Sequence, residues 1–180
     1  MPQAAIHVLI PLILVSLFRD YYVKRKNKKS FPLHYVLIAG ISGILPDLDV
    51  VAFWILYFFG FTFEQVHRTF LHSLFIPLFF FLLFGIFRGV KVRGLGKHKL
   101  QLNMIFLMLA FGIFTHLFLD SLFGEPLKIF YPISSFIVGI NLVGYLPKAL
   151  QDIAFPSLDA ALLIIWLLYL HFKHRISDFV

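Results

Sequence analysis

The sequence contains no cysteine, so it offers neither a disulfide framework nor a thiolate metal site. Charged residues are scarce as well: they make up 14% of the 180 residues, whereas soluble domains carry about 25%. Hydrophobic residues supply 60% of the chain, and 24 positions are phenylalanine. A soluble protein of this length could not bury so much apolar surface, and a disordered chain would not carry it. The composition therefore predicts an integral membrane protein.

The few charges are mostly basic and unevenly placed. Thirteen of the 16 lysines and arginines lie in 19–29, 88–99 and 173–175, short segments that separate apolar runs. Such segments are typical of cytoplasmic loops, so the net charge of +7 indicates membrane topology and no nucleic-acid partner. The first apolar run precedes its positive charge, whereas a secretory signal places the charge first. We therefore expect the N-terminus outside and the C-terminus inside.

The apolar runs predict an all-α, polytopic helical bundle of about five membrane spans, forming a single membrane-embedded domain over residues 1–180. The expected spans are 2–18, a broken second span over 33–59, 69–87, 100–122 and 158–172. Pro46 breaks the second span, because proline disfavours helix before it. One of the aspartates that follow it is expected to cap the next helix and the other to reach inward. Asp159, which follows Pro156 and Ser157, is expected to cap the last helix.

Histidines and aspartates interrupt the apolar runs, although an ionised side chain inside a membrane span costs roughly 2.5–3.5 kcal/mol. With the topology above and a helical rise of about 1.5 Å per residue, seven of them fall at one depth in the outer half of the bilayer. Local spacing agrees, because His116 and Asp120 are four residues apart and share a helix face. His67 and His72 can converge only if His67 precedes its helix. The candidate metal ligands are His7, Asp47, Asp49, His67, His72, His116 and Asp120.

Imidazole and carboxylate ligands without thiolate suit Zn²⁺ first, and then Mn²⁺ or Fe²⁺. Seven ligands exceed the four of one tetrahedral ion, so one or two ions are expected. A structural interpretation stays open for each residue, because a lone histidine on an apolar face is usually a hydrogen-bonded core residue and an aspartate at a helix break is often a cap. The remaining histidines fall on the cytoplasmic side and are not expected to be ligands; they are His34, His98, His171 and His174.

These motifs carry a family resemblance. The order of His7, LPDLD at 45–49, HRTFLHS at 67–73, HLFLD at 116–120 and GEPLKIFYP at 124–132 resembles the YdjM/DUF457 family over residues 1 to about 135. Members of that family are described as inner-membrane metal-dependent hydrolases. The resemblance therefore implies a multi-pass protein of the inner (cytoplasmic) membrane with hydrolase activity.

A more distant likeness concerns the ligand order, which is similar to that of zinc-dependent phospholipase C and P1 nuclease. Those proteins are helical enzymes that cleave phosphoesters with clustered zinc ions. The likeness implies zinc ligands in this chain at His7, Asp47 or Asp49, His67, His116 and Asp120. The chain lacks their N-terminal tryptophan ligand and their later histidine–carboxylate pair, so one or two ions are expected rather than three.

The combined hypothesis is a membrane-embedded metal-dependent hydrolase that cleaves a phosphoester of a lipid or lipid-linked substrate by metal-activated water. Whichever of Asp47 and Asp49 is not a ligand is the candidate base. Arg68 is expected to bind phosphate and stabilise its charge, although it could instead pair with Glu64 or Asp49. Two further candidates for headgroup binding also suit a membrane interface, namely Lys128 and Tyr131.

Two other functions fit the same residues. Intramembrane histidine and aspartate also mark ion pathways, which would make the protein a metal ion or proton transporter. A non-catalytic, metal-binding membrane scaffold is the other possibility. The cytoplasmic halves of the expected spans carry almost no polar residues, and this counts against a transporter.

Overall fold

The computed structural model of the protein describes residues 4–25, 31–93, 99–124 and 126–173. Its helices are α1 (Ala4–Arg25), α2 (Leu33–Ser42), α3 (Asp49–Leu56), α4 (Phe63–Val66), α5 (Phe75–Ile86), α6 (Leu102–Phe123) and α7 (Lys148–Lys173). Short 3₁₀ turns lie at Leu45–Leu48, Tyr57–Phe59 and Leu142–Tyr145. One small antiparallel hairpin, β1 (Lys91–Arg93) and β2 (Lys99–Gln101), joins α5 to α6. The predicted all-α class is confirmed, while His98, Glu125 and His174 lie outside the described residues.

Hydrogen bonds between helices establish which helix ends meet. The backbone N–H of Gln101 donates to the Tyr35 hydroxyl at 2.7 Å, which ties the start of α6 to the start of α2. The Tyr169 hydroxyl near the end of α7 donates to Asp20 at 2.9 Å. The described parts of the basic segments therefore share one end of the bundle, called here the basic end. At the opposite end, called the site end, the turn after α2 meets the second half of α6.

Among the described residues, three helices are long and apolar enough to cross a membrane, over Ala4–Val23, Leu102–Phe123 and Lys148–Lys173. The pair Leu33–Ser42 and Leu45–Phe59 passes the same test together but is bent by 50° at its break. Helix α5 is apolar but has only 12 residues. The bend within the pair thus lies next to Pro46, and that the pair forms one broken span stays a prediction. The number of membrane crossings and their orientation stay predictions.

Two helix bounds differ from the sequence expectation. The third apolar run predicts a span from Thr69, but α5 begins at Phe75 because the residues before it form turns at the site end. The last run predicts a helix start near Leu158, but α7 begins at Lys148 and continues through Pro156. The expectation that Asp159 caps this helix is therefore wrong, since Asp159 lies in its interior. Helices in apolar surroundings tolerate an internal proline, because the other backbone bonds sustain them.

Small residues allow α2 and α6 to pack closely, as is usual for helix pairs in membranes. A Cβ atom on Gly112 would clash with the Ser42 hydroxyl and the Ala39 carbonyl, and one on Gly43 would clash with the His7 carbonyl. The Ser42 hydroxyl bridges the two helices, because its single hydrogen is shared between Ala39 O at 2.8 Å and Met108 O of α6 at 3.1 Å. This close contact brings the backbone after α2 against the candidate ligands of α1 and α6.

The core between the site end and the basic end is apolar. Leu9 and Leu12 of α1, Val36 and Ala39 of α2 and Met108 of α6 are all buried there. The outward surface is apolar as well, and large side chains such as Trp54, Phe58 and Ile164 are exposed. An apolar exterior around an apolar core is expected of a protein in contact with lipid.

Candidate metal centre

The site end holds a compact cluster of histidine and aspartate side chains. All seven predicted ligands lie in it: His7 of α1, Asp47 in a 3₁₀ turn, Asp49 at the start of α3, His67 and His72 in the turns between α4 and α5, and His116 and Asp120 of α6. Six of them are buried, and only the Asp47 side chain, 29% exposed, opens to the surroundings. The predicted convergence of four separate runs is confirmed.

The local backbone explains how neighbouring residues reach one cluster. Thr62 and Gln65 form a reciprocal capping box that starts α4, and α4 ends at His67, whose backbone is extended. His67 thus precedes α5, as its convergence with His72 requires. The N-cap position of α3 is Leu48, without a side-chain cap. The expectation that one aspartate caps this helix is therefore wrong, because Asp47 and Asp49 both reach into the cluster.

Four atoms surround a space of the size that zinc needs. His72 Nε2 lies 3.2 Å from His116 Nε2, and Asp47 Oδ1 lies 3.5 Å from each of them. Asp120 Oδ2 lies 3.7 Å from His72 Nε2 and 3.6 Å from His116 Nε2. Zinc–nitrogen and zinc–oxygen bonds of about 2.0–2.2 Å give a tetrahedron with edges of about 3.3–3.6 Å. Five of the six separations among these four atoms are therefore close to the edges of a tetrahedral zinc site.

Hydrogen-bond partners indicate that these four atoms are all acceptors. His116 Nδ1 lies 2.7 Å from the Gly43 carbonyl, which can only accept, so Nδ1 carries the hydrogen and Nε2 presents a lone pair in the neutral ring. His72 Nδ1 lies 3.1 Å from Asp49 Oδ2 without hydrogen-bond geometry, and the negative charge of this carboxylate favours a hydrogen on Nδ1. Two imidazole lone pairs and two carboxylate oxygens therefore face one another. A cation between them would relieve their mutual repulsion.

Asp49 connects three neighbours. It accepts from His67 Nδ1 at 2.8 Å and from the backbone N–H of Arg68 at 3.0 Å, in addition to facing His72. These are hydrogen-bond lengths, shorter than the edges of a zinc tetrahedron. A neutral imidazole has one lone pair, so His72 cannot bind one ion with Nε2 and another with Nδ1. The geometry therefore suits an outer carboxylate that orients His72 and His67.

The ligand roles of Asp49 and His67 nevertheless stay predictions. Together with His72 they form a group whose possible ligating atoms lie within 4.8 Å of one another.

His7 completes the cluster from α1. Its Nε2 lies 3.4 Å from Asp120 Oδ1, and its ring stacks on that of His116 with centroids 3.9 Å apart. His7, Asp47 and His116 also form a group with possible ligating atoms within 4.8 Å. His7 can therefore add a fifth ligand to one ion, or hold a second ion that shares Asp120.

One comparison with known proteins identifies the family. Residues 1–177 match the model of the family described as YdjM inner membrane protein. The chain belongs to the YdjM family. The match reaches well beyond residue 135, so it includes α7 as well as the motifs of the cluster. No curated protein and no solved structure matches the chain.

In this YdjM chain one of the three predicted substrate-binding residues, Arg68, is next to a cluster residue in sequence, and the other two lie on the segment after α6. Arg68 directly follows His67 and has a left-handed backbone with a φ of 59°. Lys128 is exposed and Tyr131 is half-buried on the segment after α6. The backbone N–H of Leu74 donates to the Ile129 carbonyl at 2.8 Å, which holds this segment against the start of α5, two residues beyond His72.

Two groups at the cluster escape prediction from the sequence. One is the Gly43 carbonyl, which orients His116. Because it is a backbone group, the only sequence feature that could have indicated it is the run of small residues at the end of α2. Asp159 of α7 is the other, because its carboxylate interacts electrostatically with His7 and with the backbone N–H of Ile6, both of α1. His34 and His171 lie in the terminal turns of α2 and α7 at the basic end, away from the cluster as expected.

Proposed function

We propose that this YdjM-family protein is a membrane-embedded, metal-dependent hydrolase that cleaves the phosphoester of a lipid or lipid-linked substrate at the outer half of the bilayer. The observation that carries the proposal is the convergence of four acceptor atoms, from Asp47, His72, His116 and Asp120, on a space of zinc dimensions. Zinc suits this donor set best, with Mn²⁺ as the alternative, in one or two ions. Bound there, such an ion would supply Lewis acidity and make water nucleophilic near neutral pH.

Asp47 controls access to the proposed centre. Its side chain is 29% exposed, whereas those of Asp120, His72 and His116 are almost fully enclosed. A substrate therefore approaches past Asp47. If the enclosed His72, His116 and Asp120 hold the ion, one position stays open for water, and Asp47 is the carboxylate left to accept the proton of that water.

We assign phosphate binding to two basic residues, Arg68 and Lys128. Arg68 is positioned through its backbone N–H, which donates to Asp49 and fixes the turn that also carries His67. A guanidinium group matches phosphate oxygens in a bidentate manner and stabilises charge that develops on them. Lys128 and Tyr131, on the segment tied to the start of α5, supply an ammonium group and a hydroxyl for the headgroup.

The packing below the cluster counts against a transporter. Leu9, Leu12, Val36 and Met108 fill the described core between the site end and the basic end. The buried Ser16 hydroxyl in this region donates to a carbonyl of its own helix. An ion would have to cross this apolar layer, at the cost that hydrocarbon imposes on charge.

The experiment is a turnover assay on full-length protein in detergent, stripped of metal and reloaded with zinc or manganese. The substrates are p-nitrophenyl phosphate, bis(p-nitrophenyl) phosphate and phosphatidic acid in mixed micelles. We expect metal-dependent cleavage of at least one of them, lost in Asp120→Ala and kept in His171→Ala. Stoichiometric metal without cleavage of any phosphoester would contradict a hydrolase and favour the scaffold. Zinc flux into liposomes would favour the transporter.

A further inference from the structure

Several buried polar atoms at the site end have no hydrogen-bond partner among the described residues, and two of them lie on the helices α1 and α7, which pack against each other. They are Nδ1 of His7 and Oδ1 of Asp159. A buried polar atom without a partner lowers stability, so these two atoms call for an explanation. Helix α7, which carries Asp159, packs along α1, and the Asp159 carboxylate is close enough to the first turn of α1 to interact with the backbone N–H of Ile6 and electrostatically with His7. A ring nitrogen and a carboxylate oxygen are complementary, because one can donate and the other can only accept.

The metal cluster determines which His7 nitrogen carries the hydrogen. Nε2 is the atom that faces Asp120 inside the cluster, so it is the atom available to an ion. An imidazole that binds a metal through Nε2 keeps its single hydrogen on Nδ1. Histidine ligands almost always donate that hydrogen to a carboxylate or a carbonyl. His116 does so to Gly43 O, and His72 faces Asp49 in the same way.

We propose that Asp159 is the corresponding outer carboxylate of His7. It accepts the Nδ1 hydrogen through one bridging water, because the two side chains make no direct hydrogen bond, and thereby fixes the ring with Nε2 directed at the metal. The inference rests on the proposed metal-dependent function. It makes α7, whose other side chains mostly face outward, a contributor to the metal centre rather than only a membrane span.

A structural role for Asp159 makes a different prediction. The first N–H groups of a helix have no partner within the helix, and the Asp159 carboxylate faces the backbone N–H of Ile6 in the first turn of α1. A carboxylate that only stabilises this turn would affect the fold whether or not residue 7 is histidine. A positioning residue acts on the metal only through the His7 ring. A double-mutant cycle separates the two roles.

The measurement is the zinc dissociation constant of the full-length protein in detergent, obtained by competition with a chelator of known affinity. Asp159→Ala should weaken zinc binding by about 10- to 100-fold, the usual effect of losing an outer partner. Asp159→Asn should have a smaller effect, because its amide oxygen still accepts a hydrogen bond. Asp152→Asn is the matched control: it removes the same charge from an exposed position earlier on α7 and should leave the constant unchanged.

The cycle is completed in a His7→Ala background, where Asp159→Ala should have no further effect on zinc affinity. An equal loss with and without His7 would overturn the proposal and assign Asp159 to the first turn of α1. An unchanged constant in Asp159→Ala would overturn it too, while leaving the proposed function standing. If the wild type binds neither zinc nor manganese, both proposals fail together. Should Asp159→Ala not fold, the same cycle is made with Asp159→Asn.

Discussion

At the scale of single residues, the metal centre depends on the direction of a few hydrogen bonds. The Gly43 carbonyl fixes the hydrogen of His116 on Nδ1, and Asp49 favours the same tautomer for His72. Both Nε2 lone pairs are thereby directed at Asp47 and Asp120. If the cluster holds a metal ion, as proposed, loss of a single ligand should lower metal binding first.

Removing a ligand from α6 tests this directly. His116→Ala and Asp120→Ala should each lower bound zinc well below the wild-type content and abolish the rise in melting temperature that zinc produces. A ligand at 100 times its dissociation constant stabilises the fold by about 2.7 kcal/mol, so the loss is measurable. Elemental analysis and thermal unfolding in detergent, with and without zinc, provide the two readouts.

His171→Ala is the control for these variants, because His171 lies at the basic end and should change neither quantity. Wild-type zinc content in either α6 variant would exclude the four-atom site.

Arg68 gives a second residue-scale prediction, which separates metal binding from turnover. Arg68→Ala should keep wild-type zinc content but lower phosphoester turnover, because arginine holds phosphate and does not ligate the ion. Arg68→Lys should restore only part of the rate, since an ammonium group carries the charge but cannot donate two parallel hydrogen bonds to a phosphate as a guanidinium group does. Zinc content and kcat/KM are measured on the same preparations. Full activity of Arg68→Ala on every phosphoester tested would contradict the phosphate assignment.

At the scale of helices and turns, the site exists because α2 and α6 pack closely. The apolar runs predict α1 and α6 well, and Pro46 predicts the bend after α2, because these follow from local composition and proline geometry. The same reasoning fails for α7, since Pro156 and Ser157 resemble a helix start in sequence while the helix continues through them. It also fails for α5, where apolar residues such as Phe70 and Leu71 lie in turns fixed by the cluster.

Some residues of the site can likewise be predicted from the sequence, and others cannot. His116 and Asp120 were predictable, because a four-residue spacing places both on one helix face. The contact between Asp159 and the site end was not, because it depends on how two helices remote in sequence pack together. Long-range packing of this kind has no local pattern in the chain.

Gly112 tests the importance of the close helix contact. Gly112→Ala should lower the free energy of unfolding by about 1–3 kcal/mol, because the new methyl group meets Ser42 and the Ala39 backbone. It should also weaken zinc binding, since α6 carries His116. Gly85→Ala is the matched control: it has open space around it within α5 and should be neutral, or stabilising by about 0.4–1 kcal/mol. Equal stability of the two variants would contradict close packing as the determinant.

At the scale of the whole molecule, the basic end and the site end lie at opposite ends of the bundle. If the basic end is cytoplasmic, the metal centre faces the outer half of the bilayer, and this determines which leaflet supplies a lipid substrate. The absence of cysteine makes this orientation easy to measure, because an introduced cysteine is unique in the chain.

Single cysteines at the two ends should react from opposite sides of the membrane. Glu64→Cys at the site end should react with a membrane-impermeant maleimide in intact spheroplasts, whereas Val92→Cys in β1 should react only after permeabilisation. Both positions are exposed, so burial does not confuse the comparison. The reverse pattern would place the centre on the cytoplasmic side and its substrate in the inner leaflet.

The most direct test of the central claim is X-ray absorption at the zinc edge on the zinc-saturated, full-length protein in detergent. We expect the atoms bound to zinc to be only nitrogen and oxygen, at about 2.0–2.2 Å from the ion. Scattering from more distant atoms should show at least two imidazole rings. The imidazole contribution should fall when His116 is replaced by alanine. A protein that retains no zinc, or one whose zinc shows no imidazole scattering, would contradict the claim that these histidines and aspartates form a metal centre.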